Sequence, residues 1–127
     1  MATFRDVVLL KDNTDRLGRK YSHVDLYNEI TPKKVILGEL GMGIGDKISL
    51  DKVSHQIINV RVGTDSVVGD VEILNTPCGK LANELINNNI PWRTGLRSIG
   101  VLNEDNTVTE FKFITFDLVF DREINNG

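Results

Sequence analysis

Hydrophobic and polar positions alternate most cleanly between Val67 and Leu74. Val67, Gly69, Val71 and Ile73 share one side, and Val68, Asp70, Glu72 and Leu74 the other. A period of two predicts a strand with one more apolar face. Asn75-Thr76-Pro77 stops it. Thr76 can accept a backbone N–H at a helix start, and Pro77 suits the first helical position, where a missing donor is not needed. The spacing then predicts a helix from Pro77 to Asn87 with Leu81, Leu85 and Ile86 on one stripe. Asn87-Asn88-Asn89 ends it, because Asn tolerates the left-handed conformation of a helix terminus. Ile90-Pro91 leads out, and Leu96 to Leu102 reads as the next strand.

The same reading covers the rest of the chain. Thr3 to Leu10 is a strand, and Lys11 to Arg19 a polar loop. His23 to Ile30 has Val24, Leu26, Tyr27 and Ile30 spaced for a short helix, which Thr31-Pro32 breaks. Lys33 to Leu40 and Asp46 to Val53 read as extended. Ile57 to Val62 is a strand with Ile58, Val60 and Val62 on one side. Gly63-Thr64-Asp65-Ser66 is a hairpin turn, Asn103 to Asn106 another turn, and Thr107 to Phe120 a strand in which Phe111 and Phe113 alternate with Glu110 and Lys112. The polar tail Asp121 to Gly127 is expected to fray. These elements predict a mainly β (α+β) domain: a small closed antiparallel β-barrel of about seven strands with one clear packed helix.

Composition narrows the function classes. A chain of 127 residues suits a single domain over 1–127. A net charge of −3 points to neither nucleic acid nor an anionic membrane, and no apolar run is long enough to span a bilayer. The N-terminus lacks a signal-peptide pattern, and the lone Cys78 excludes an internal disulfide. Two His and one Cys without ligand spacing predict neither a metal nor a cofactor. The glycines at 38, 41, 43 and 45 are not a phosphate loop, because no Lys-Ser or Lys-Thr closes the run.

The stretch Gly69 to Leu102 resembles the capsid-maturation (prohead) proteases of tailed bacteriophages. In them a segment of the form GxxEILxTPxGKxxxxLIxxGxxxGxSSRGxG carries the catalytic serine. Val71-Glu72-Ile73-Leu74, Thr76-Pro77, Gly79-Lys80, Leu85-Ile86, Arg97 and Gly100 match it. Further similar segments follow in the same order: the 12–22 loop DNTDRLGRKYS, Gly38-Glu39-Leu40, the KVSHxI segment with His55, and Phe113 to Val119. The resemblance implies a barrel shared with the herpesvirus capsid proteases. It also implies a serine nucleophile at Gly95 or Leu96 and a histidine base at Met42, the residue after Gly41; Gly43 stands in place of a proline.

None of those residues can do the chemistry. Gly95 and Leu96 cannot attack a carbonyl, Met42 cannot take a proton, and loss of either partner removes orders of magnitude in rate. The expectation is therefore a protease-like fold that is not an enzyme, with Met42, Gly95 and Leu96 as vacated positions. A residual alternative is an active protease with relocated residues, Ser98 or Thr94 paired with His55 or His23. Cys78, at the second helical position, is read as a small buried or half-buried side chain. The candidate partner-binding residues are Arg93, Arg97, Trp92, Met42 and Ile44: an apolar patch rimmed by arginine, facing an adaptable glycine loop. The competing reading has Arg93 solvated, Arg97 in a structural ion pair, and Met42 and Trp92 in the core. Two function classes follow. One is a non-catalytic protein of capsid assembly that binds capsid or scaffold chains or a second copy of itself, in the infected host cytoplasm, prohead or virion. The other is a binding protein that sequesters a host defence factor or an anionic ligand.

Overall fold

The computed structural model describes residues 2–120, so the expected polar tail lies outside the described residues. In order, the elements are β1 (Thr3–Lys11), β2 (Lys20–Tyr21), α1 (His23–Ile30), β3 (Val35–Glu39), a 3₁₀ turn (Leu50–Lys52), β4 (Val53–Val62), β5 (Ser66–Ile73), α2 (Pro77–Asn87), β6 (Trp92–Leu102) and β7 (Thr107–Phe120).

The strands form two sheets among the described residues. One has the order β1-β5-β4-β3 with antiparallel pairing throughout. The other has the order β2-β7-β6, antiparallel between β6 and β7 and parallel between β2 and β7. The closed barrel is therefore not what forms. On one side β1 and β6 meet through side chains: Thr94 Oγ1 donates to Leu9 O at 3.0 Å, and the Phe4 and Trp92 rings meet at a tilt with centroids 5.0 Å apart. On the other, β3 approaches β7 through one parallel bridge, Leu40 to Leu118, and a 2.6 Å bond from Thr115 Oγ1 to Leu37 O.

The core lies between the sheets. Ile57, Val67, Val71 and Ile73 of the first sheet face Leu96, Phe116, Leu118 and Phe120 of the second, and Leu26 and Ile30 of α1 close one end. Two helices form where one was clear from the sequence: Ser22 caps α1 by accepting from Asp25 N–H. The stretch before Val53 is a 3₁₀ turn, not a strand, and β6 begins at Trp92, earlier than its apolar pattern shows.

The expected faces hold on β5 but not on β4. Ile57 is fully buried, and then Asn59 takes φ 54° in a bulge, so Val60 and Val62 pack on the core in the opposite phase to Ile58. β1 carries a matching irregularity at Asp6, φ 55°. The Asp70 carboxylate of β5 holds both: Asp6 N–H donates to Oδ1 at 3.0 Å and Asn59 Nδ2 to Oδ2 at 2.9 Å. One carboxylate on the middle strand thus supplies acceptors for bulges on both neighbours.

The α2 stripe also differs. Its inward face is Gly79 and Ala82 with Leu85 and Ile86 part-buried, whereas Leu81 is exposed. The helix approaches so closely that a Cβ on Gly79 would lie 1.8 Å from Leu74 O, and small residues alone fit that seam.

Candidate functional site

The positions that the resemblance assigns to base and nucleophile lie against each other. A Cβ on Gly95 would sit 2.4 Å from Met42 Sδ, so the thioether occupies the volume a serine side chain would need. Met42 belongs to the loop of residues 41–49 after β3, and Gly95 to β6, where it pairs with Asp117 of β7. Gly95 and Leu96 form the floor of a cavity of about 260 Å³. Met42 and Val119 line it, and so do Asp15, Arg16, Leu17 and Arg19 from the loop before β2. A second cavity of about 230 Å³ shares Arg19, Met42 and Leu96 and continues past Tyr21 and Ser98. A third shares Gly95 and Leu96 and reaches β1 at Val8 to Lys11. Together they make one groove centred on the vacated positions.

The loop before β2 is the part of this groove that the candidate residues left out. Asp15 orders it. Its Oδ1 accepts from Leu17 N–H and Arg19 N–H, and its Oδ2 accepts from Arg19 Nε at 2.6 Å and Tyr21 Oη at 2.7 Å. Burial pushes the Asp15 carboxyl up, but the bonds from Tyr21 and Arg19 outweigh it and hold the group below the ordinary range. Burial and the Asp15 bond together push the Tyr21 phenol up to about 12. The available signal was the 12–22 stretch of the family resemblance, which taken alone reads as a basic solvated loop.

Arg97 is not at the rim. It is 6% exposed, and its guanidinium lies in a buried cluster with Glu39 of β3 and Asp117 of β7. Nη2 donates to Glu39 Oε2 at 3.0 Å and to Asp117 Oδ1 at 3.1 Å. Nε lies 3.0 Å from Asp117 Oδ2, an ion pair off the hydrogen-bonding angle. Nη1 faces the carbonyls of Ile44 (3.1 Å) and Lys47 (3.3 Å). Burial disfavours the Arg97 charge, but the two carboxylates more than offset it and raise its affinity for the proton. Burial likewise raises Glu39, and Ser49 N–H with Arg97 outweighs it, leaving Glu39 below its ordinary value. The ion-pair reading of Arg97 describes its position, because its guanidinium lies between the two carboxylates and the loop of residues 41–49.

The remaining candidates separate. Arg93 lines the groove, and its Nη1 donates to Thr94 O at 3.1 Å. Trp92 is half-buried against Phe4 and packs on the core. Ile44 is 92% exposed and lines none of the three cavities. Met42, 48% exposed, roofs the floor.

The relocated pairs do not form. Thr94 is spent on Leu9 O, and Ser98 stands beside the Tyr21 phenol. His23 lies beside Tyr27 at the start of α1. His55 does pair with a serine, Ser54 Oγ at 2.8 Å from Nδ1, but both are fully buried. Its Nε2 lies 2.9 Å from Phe116 O; a carbonyl only accepts, so Nε2 carries the proton and Nδ1 accepts from Ser54. Burial pulls the His55 pKa down, which keeps it neutral. Gly38 belongs to this arrangement: a Cβ there would lie 2.2 Å from His55 Nε2 and 2.4 Å from Phe116 O. Cys78 is part-buried with Sγ 3.6 Å from Asp51 O. No group of three or more potential metal ligands occurs among the described residues.

The motif residues thus divide by role. Glu39, Arg97 and Asp117 build an ion cluster, Gly38, Ser54 and His55 a buried packing unit, and Thr76, Pro77 and Gly79 a helix start. Met42, Gly95 and Leu96, the positions assigned to base and nucleophile, line the groove itself.

No protein-family model matches the chain, and no curated protein does. Among solved structures it is similar to the bacteriophage T4 capsid assembly protease gp21, with a TM-score of 0.71 at 20% identity, over 94% of this chain and 90% of that one. At that identity the likeness is one of fold, and the chain has the fold of a phage capsid assembly protease.

Proposed function

We propose that this protein is a non-catalytic relative of the phage prohead proteases that holds a segment of a capsid or scaffold chain in the groove over Met42 and Gly95. The observation that carries the reading is the approach of Met42 Sδ to Gly95, which puts a thioether where a nucleophile's side chain would stand, on the floor of an open groove. Among the described residues no histidine lines that groove, and its one carboxylate, Asp15, already accepts from Arg19 and Tyr21, which supports a non-catalytic reading. The groove offers apolar surface at Leu17, Met42, Leu96 and Val119 between Arg16, Arg19 and Arg93, a mixture common at protein interfaces. The arginines also favour the second reading, sequestration of an anionic host factor.

A photo-crosslinking residue in place of Met42, used in infected cells, tests this. Capture of capsid or scaffold chains is expected. Capture of host proteins alone would transfer the assignment to the second reading. A serine-directed phosphonate should leave the protein unlabelled; labelling that is lost in Ser98→Ala or Thr94→Ala would restore protease activity as the function and end both readings.

A further inference from the structure

The loop of residues 41–49 is attached to the sheets in an unusual way. Its apolar side chains do little: Met42 and Ile44 are exposed and Ile48 is part-buried. Its polar attachments converge on the one ion cluster. Gly43 N–H donates to Asp117 Oδ2 at 3.2 Å, and Ser49 N–H to Glu39 Oε2 at 2.9 Å. The carbonyls of Ile44 and Lys47 accept from Arg97. The guanidinium also packs against the Gly43 backbone, where a Cβ would lie 2.7 Å from Arg97 Cζ. Left-handed glycines stand at its start, Gly41 at φ 78°, and at its middle, Gly45 at φ 82°. Outside the cluster, the bonds from Gly41 N–H to Leu118 O and from Lys52 N–H to Ser49 O fix only the two ends.

A segment with few buried apolar contacts is held only as well as its polar fastening. Here donors six residues apart share that fastening, because Arg97 binds the carboxylates that receive both. We propose that residues 41–49 form a strap that opens from the sheets as one unit, fastened by the Arg97 cluster, and that its opening lifts Met42 off Gly95 and unroofs the groove. The strap bears on the proposed binding groove, yet its motion is a property of the unliganded chain. It stands or falls whether or not any segment binds there.

Amide hydrogen exchange followed by NMR on the unliganded full chain tests it. Gly43 and Ser49 are expected to exchange with matching protection, well below that of the paired amides of β6 and β7. In Glu39→Gln the amide oxygen still accepts from Ser49, but the charge facing Arg97 is gone. Both amides should then exchange roughly tenfold faster or more, as loss of a charge-assisted bond implies. Gly43 should accelerate although its own acceptor, Asp117, is untouched. Acceleration at Ser49 alone would overturn the proposal, because the two ends would then open independently. So would exchange of both amides in the wild type only at the protection of the strands. If Glu39→Gln fails to fold, the wild-type comparison decides.

Discussion

Two glycines show how the same deletion of a side chain serves different ends. Gly38 faces groups that cannot yield, since the His55 ring and the Phe116 carbonyl are both buried. Gly95 faces the thioether of a half-exposed methionine, which can swing toward water. Gly38→Ala should therefore destabilise the protein by about 3 kcal/mol, at the upper end of overpacking, and Gly95→Ser by about 1 kcal/mol. Met42→Ala in the Gly95→Ser chain should recover the smaller loss. Urea denaturation of the four proteins checks this, and equal losses for the two glycines would contradict it. His55 supports a second prediction. Its folded pKa lies below the ordinary 6.5 because burial disfavours the imidazolium. The unfolded chain therefore binds a proton that the folded chain refuses as pH falls below 6.5. Stability should decline with acid from there, by up to about 1.4 kcal/mol per pH unit, until the folded pKa is reached. Glu39 and Asp15, both held below the ordinary carboxylate range, add a separate loss at lower pH. Thermal denaturation against pH should show the first slope in the wild type and not in His55→Gln.

The α2 helix depends on its first turn more than on its apolar stripe. Thr76 accepts from Gly79 N–H at 2.9 Å, and its own hydroxyl donates to Val53 O. One side chain thus caps the helix and ties it to the start of β4. Thr76→Ala removes both bonds and should cost about 2 kcal/mol, the upper end for a lost cap, while Leu81→Ala should be close to neutral. Chemical denaturation separates the two. A larger loss at Leu81 would show that the helix packs through its longer side chains after all. Asn89 at φ 62° and Asn106 at φ 65° mark the ends of α2 and of the β6–β7 turn, where left-handed geometry suits Asn.

Across the molecule, the Arg97 cluster adds an ionic link between the sheets where β3 meets β7. Glu39 belongs to the first sheet, Arg97 and Asp117 to the second. Removing the guanidinium leaves two buried carboxylates facing each other, so Arg97→Met should cost about 3–5 kcal/mol. Replacing all three residues with apolar ones of similar volume should recover much of that loss, since a buried ion cluster contributes less than its breakage costs. Calorimetry on the single and triple variants measures the difference. A single variant as stable as the wild type would remove the cluster from the account of how the sheets are held.

Local chemistry decided most elements in advance. The period of two over Val67 to Leu74, the Thr76-Pro77 start and the Asn run after Asn87 are each properties of neighbouring residues, and β5 and α2 follow them. The two faces that the chain pattern misassigned lie where neighbours in space intervene. Asp70 supports the Asn59 bulge and shifts β4 by one residue, and the Leu74 carbonyl forces Gly79 rather than Leu81 to face inward. The site divides the same way. The motif spacing pairs Met42 with Gly95, and the structure brings them together. The spacing cannot tell that Arg97 is spent on Glu39 and Asp117, residues 58 and 20 positions away, or that Arg16 and Arg19 reach the groove from the chain's other end. Whether the sheets close is likewise no property of any strand: it depends on how β1 meets β6 and β3 meets β7, edges that exist only once the strands are packed and that the Thr94 and Thr115 side chains cross.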